Sequence, residues 1–86
     1  MGLDDLKINS FCDVYPNPSS GEVYLDWKAP DFRGIICVYD MVGQMLETHT
    51  ISGQPQTKIR LDHPPGRYLI KIKSSDKEMT FPLVLK

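Results

Sequence analysis

The sequence predicts an all-β domain, an immunoglobulin-like antiparallel β-sandwich of about seven strands, and three observations predict it. Apolar residues recur with period two, not with the 3.6 of a helix. Gly, Pro, Asn and Asp clusters separate the alternating runs at close to the roughly 8–12 residue spacing of sandwiches. No segment carries helical periodicity long enough to compete.

Leu3 to Ser10 is polar with scattered aliphatics and reads as a linker or an expression lead-in, so residues 1–10 are set apart from a domain over 11–86. Phe11 to Tyr15 is a short first strand. Tyr15-Pro16-Asn17-Pro18-Ser19-Ser20-Gly21 follows as a stiff corner: both prolines fix φ and lack an amide hydrogen, Asn17 before Pro18 is pushed towards extended geometry, and Gly21 can close the turn. Glu22 to Lys28 alternates, with Val23, Leu25 and Trp27 on one face. Ala29-Pro30-Asp31 breaks it. Gly34 to Asp40 is apolar on both faces, which suits a central strand. Met41-Val42-Gly43 is a tight hairpin connection with a bulge, and Gln44 to Ile51 continues the pairing.

Ser52 to Gln56 is loop, and Thr57 to Leu61 turns Ile59 and Leu61 inward. Asp62-His63-Pro64-Pro65-Gly66 turns the chain again. Arg67 to Lys73 buries Tyr68, Ile70 and Ile72, leaving Lys71 and Lys73 on an outer face or a protected edge. Ser74 to Lys77 is a polar turn before Glu78 to Leu85, whose Met79, Phe81, Leu83 and Leu85 share a face. Pro82 inside that strand makes it an edge, or partly unpaired.

Eighty-six residues make one domain. With 10 basic and 11 acidic side chains, charge is balanced and no nucleic-acid partner is expected. Met1 to Asp5 has neither the basic leader nor the apolar run of a signal peptide. Cys12 and Cys37 are too few for a disulfide scaffold. They read as buried free thiols acting as small hydrophobes, or as one bridge, which needs an oxidising compartment and Cα atoms within roughly 7 Å.

Reactive constellations do not emerge. His49 falls mid-strand on an expected solvent face and His63 in the Pro-Pro turn; both read as solvated imidazoles without the partners of a zinc site. Carboxylates are dispersed, no calcium loop or phosphate-binding glycine loop appears, and the serines at 19, 20, 74 and 75 read as turn residues. No enzyme, metal or cofactor is expected.

The Tyr15-Pro16-Asn17-Pro18 corner with Gly21, the segment containing Tyr39, Asp40 and Gly43, the Gly66-Arg67-Tyr68 strand start and the terminal Lys86 occur in an order and spacing that resemble one family. This is the C-terminal sorting domain of type IX (Por) secretion system cargo proteins, and the resemblance spans Val14 to Lys86. It implies a non-catalytic signal that directs a folded N-terminal cargo domain from the periplasm through an outer-membrane translocon. It further implies removal by a sortase-like peptidase, with cleavage in or before Leu3 to Ser10, and a cargo that ends on the outer membrane surface or secreted. Pro16, Pro18 and Gly21 match the family's first motif, Gly66 and Tyr68 its later glycine-aromatic motif, and Lys86 a basic residue near its end. The final hairpin is expected to dock by strand addition, and its exposed edge to allow a homodimer. An immunoglobulin- or fibronectin-like adhesive or carbohydrate-binding module is the competing expectation. It calls for an exposed aromatic patch on the loops, where Phe32 is the only obvious loop aromatic, which weighs against it.

Overall fold

In a computed structural model of the chain, residues 12–29, 31–75 and 77–86 are described. Phe11 and the Leu3 to Ser10 lead-in, with its expected cleavage region, lie outside them, as do Pro30 and Asp76. Seven strands form: β1 (Cys12–Tyr15), β2 (Glu22–Trp27), β3 (Arg33–Asp40), β4 (Met45–Ser52), β5 (Gln56–Arg60), β6 (Gly66–Lys73) and β7 (Glu78–Leu85). Sheet A has the order β1-β2-β5 and sheet B the order β4-β3-β6-β7, antiparallel throughout. Hairpins join β1 to β2, β3 to β4 and β6 to β7, and the other connections cross between the sheets. Each strand lies where the alternation places it, and β3 and β6 are the interior strands of sheet B.

The period-two pattern becomes a core because opposed residues of neighbouring antiparallel strands point to the same side. Val23, Leu25 and Trp27 of β2 meet Ile36 and Val38 of β3, Tyr68, Ile70 and Ile72 of β6, and Phe81, Leu83 and Leu85 of β7. Trp27 also donates its indole N–H to the hydroxyl of Thr57 at 2.9 Å, so its one polar atom is satisfied in the interior. Phe32 stacks on the Trp27 ring at 5.0 Å and packs against the core; it is not an exposed loop aromatic.

The Met41-Val42-Gly43 connection is the expected bulged hairpin: the register shifts after Val38, leaving Leu46 as the extra residue. Gly43 sits at φ +91° there, a region that favours glycine. Gly34, which looks incidental in the sequence, is held more tightly. A Cβ at Gly34 would lie 2.1 Å from the Lys73 carbonyl oxygen, so only glycine lets β3 approach β6 at that point.

The two cysteines do not pair. Both are free and buried, Cys12 in the core and Cys37 on the outer side of β3, facing away from the other thiol. Trp27→Ala removes a buried ring, its hydroxyl partner and its stacking contact. It is expected to cost about 3–5 kcal/mol, read as a fall in urea midpoint, and an unchanged midpoint would refute the burial argument.

Candidate functional site

The corner after β1 is built against the outer edge of β7. Its Tyr15–Pro16 and Asn17–Pro18 peptide bonds are both cis. Asn17 behaves as a short strand: its side-chain amide donates to the Pro82 carbonyl at 3.1 Å, and its side-chain oxygen accepts from the Val84 N–H at 3.1 Å. Ser19 continues the contact through its backbone. Its N–H donates to the Val84 carbonyl at 2.8 Å and its carbonyl accepts from the Lys86 N–H at 2.8 Å, forming a parallel bridge opposite Leu85.

Ser19 is fully buried, and its hydroxyl is used twice more, donating to the Glu22 carbonyl at 2.7 Å and accepting from the Gly21 N–H at 3.0 Å. All of its polar groups are thereby partnered. Gly21 then accepts from the Leu61 N–H at 2.7 Å, tying the corner to the end of β5. Pro82 fits this arrangement because its missing donor falls on the edge facing Asn17.

At the same end lies the β3–β4 turn. One Asp40 carboxylate oxygen accepts from the N–H groups of Val42 at 3.0 Å and Gln44 at 2.9 Å, closing the loop from inside. Asp40 is opposite Tyr68, Tyr68 opposite Leu83, and Gly66, at φ +152°, opposite Leu85. Tyr68 is buried and donates its hydroxyl to the Pro64 carbonyl, pinning the β5–β6 loop. Tyr15, Pro16, Asn17, Pro18, Gly21, Tyr39, Asp40, Gly43, Gly66, Tyr68 and Lys86 therefore all gather at one end of the sandwich.

Three expectations change here. His49 does not face solvent: it lies opposite Ile36, on the core-facing side of β4 at the rim of the sandwich. His49 Nε2 lies 2.8 Å from one Glu47 oxygen and His63 Nε2 reaches the other, so neither is a simply solvated imidazole. This Glu47 bridge joins β4 to the β5–β6 loop beside Tyr68, whose ring is 5.9 Å from that of His63. Ser19 is not merely a turn residue. Finally, β7 is an edge strand, but its last half is covered by the corner, which leaves only the Glu78 to Thr80 stretch open to strand addition.

The outward residues differ in character. Tyr15 donates its hydroxyl to Asp26 at 2.8 Å, a bond to a carboxylate that raises its pKa, while Gln56 links both groups and Tyr24 stacks at 5.6 Å. Among the described residues Tyr39 spends its ring on neither the core cluster nor a hydrogen bond; the Lys71 ammonium lies 5.7 Å from its centroid. Among the described residues no group of three or more His, Cys, Asp or Glu is placed to hold a metal ion.

Residues 13–86 match the family model of the secretion system C-terminal sorting domain. The chain belongs to that family. No curated protein matches it. The sorting domain is the C-terminal signal of type IX secretion, which takes an attached N-terminal cargo across the outer membrane to the cell surface or beyond. Ser19 and Gly34 are the structural residues of this sorting domain that the sequence did not single out. A serine three positions before a strand looks like any turn residue, and a close backbone approach leaves no mark in the alternation.

Ser19→Ala strands the Gly21 N–H and Glu22 carbonyl in a buried site. It is expected to cost about 1–3 kcal/mol, against less than about 0.5 kcal/mol for exposed Ser20→Ala; equal urea midpoints would contradict the clamp. Burial pushes the Cys12 thiol up from 9.0 to about 12. The unfolded thiol therefore ionises first, and stability falls as pH rises above 9.0 towards about 12. That component of a pH-dependent melting series is expected to disappear in Cys12→Ala.

Proposed function

We propose that the type IX outer-membrane translocon reads this sorting domain as a folded surface, and that the surface is the loop end. The observation that carries this is the convergence of the motif residues there. Most of them are consumed in holding shape: Asn17 covers a strand edge, Asp40 closes a turn and Tyr68 pins a loop. A signal made of such residues conveys a contour, and it acts by binding, with no catalysis of its own.

The geometry suits a domain carried behind a cargo. The chain enters β1 at Cys12, and β1 runs from there towards the corner, so the described domain begins at the end opposite the loop end. The domain crosses the periplasm folded behind its cargo. A sortase-like peptidase then cuts in or before Leu3 to Ser10, and the cargo remains on the surface or is released. A homodimer through β7 would pair the Glu78 to Thr80 stretch, the part beyond the clamp.

Fusing the chain behind an inert folded reporter in a host with this secretion system tests the proposal. The reporter is expected at the surface or in the medium, and Asn17→Ala is expected to lower export beyond any loss of folded protein. A reporter that accumulates in the periplasm would refute it.

A further inference from the structure

We propose that the loop-end half of sheet B's outer face docks a component of the export machinery whose own surface is apolar and edged with carboxylates. The proposal rests on the loop end being the recognised surface and names the chemistry of its partner. The register places Met45, Tyr39, Leu69 and Pro82 directly opposite one another, one from each of the four strands, as a single row on the solvent side. Beside it, Arg67 lies opposite Val84, and the β3–β4 turn adds Met41 and Val42. Met45 is 53% exposed, Met41 59% and Val42 87%.

Sheet A supplies the internal comparison. Its outer face carries Asp13, Asp26, Gln56, Glu22, Lys58 and Arg60 and the stacked pair Tyr15 and Tyr24, with the Tyr15 hydroxyl, the carboxylates, the amide and the cations tied into hydrogen bonds and ion pairs. An antiparallel sheet with one wet face ordinarily looks like that, whereas a continuous apolar row on a wet face marks an interaction site.

Charge selects the partner. The row is flanked by Arg67 on one side and Lys71 on the other, with no carboxylate on either flank. Glu78, one row further out, reaches Lys71 at 3.7 Å, and Arg67 has no ion pair among the described residues. Two copies of this face would bring like charges together, which disfavours self-association. Leu69 separates two shallow hollows, one bounded by Met41, Arg67 and Val84 and the other by Tyr39, Lys71 and Thr80. Hollows of this kind receive protruding side chains, which a protein supplies and a bilayer surface does not.

Arg67→Glu and Met45→Asp, singly and together in the reporter fusion, test the assignment, with Lys58→Glu on sheet A as the control. The first two are expected to cut export about tenfold or more, with a melting transition like that of the parent, while the control exports normally. Parent-level export of both variants, or an equal loss in the control, overturns the inference; failure of the parent fusion instead sinks the function proposed above. Flotation of the chain with phosphatidylethanolamine–phosphatidylglycerol vesicles that Arg67→Glu abolishes would reassign the face to lipid. A concentration-dependent dimer abolished by Met45→Asp would reassign it to a second copy.

Discussion

An open sheet cannot leave its edges to chance, because every unpaired N–H and C=O along an edge strand invites another strand. Sheet B has two edges, β4 and β7, and the Pro-Asn-Pro corner covers the last half of β7. Asn17 supplies one donor and one acceptor from its side chain, Ser19 one of each from its backbone, and Pro82 removes a donor that would otherwise face the same side. Since Ser19 is also hydrogen-bonded to Gly21 and Glu22, the edge of one sheet is tied to the start of β2 in the other. The loop end keeps its shape because this junction is satisfied at every polar atom of a buried residue.

That junction explains why sequence motifs scattered along the chain form one surface. The corner fixes the end of β7, β7 fixes the start of β6 through Gly66, and β6 fixes the end of β3 through Tyr68 and Asp40. In a domain this small the core has little margin, so polar contacts that order loops count for more than in a larger protein. The Glu47 bridge to His49 and His63 is a further tie of the same kind, holding the β5–β6 loop against β4.

The two outer faces separate stability from signalling. Sheet A's outer side is finished with paired charges, the bonded Gln56 amide and a tyrosine pair whose Tyr15 hydroxyl is held by Asp26, so its polar groups find partners within the sheet. Sheet B's outer side at the loop end is left apolar, although Ile36, Val38, Ile70 and Leu83 on its inner side already supply the core. The apolar character of β3 on both faces thus has two origins. One face is buried against sheet A; on the other Cys37 is shielded by its neighbours, but Ile35 remains 43% exposed because no layer covers that side.

The places of the strands along the chain and their inward residues were legible from the sequence, and Pro82 marked β7 as an edge or partly unpaired, because alternation and proline each act within a few residues. Trp27, Tyr68 and Phe81 were placed in the core by parity alone. The structure brings the family-motif residues, from the corner to Lys86, to one end of the sandwich. The solvent-face reading failed at His49, which shares the inward parity of buried Ile51 and lies opposite Ile36, with Glu47 as its partner at the rim. Parity was silent on Ser19, Gly34 and Asn17, whose roles depend on backbone groups far along the chain. The apolar row of Met45, Tyr39, Leu69 and Pro82 needs four registers at once. Local pattern determines which way a residue points; only the packed sheets decide what stands opposite it, because those pairings join residues that the chain itself keeps apart.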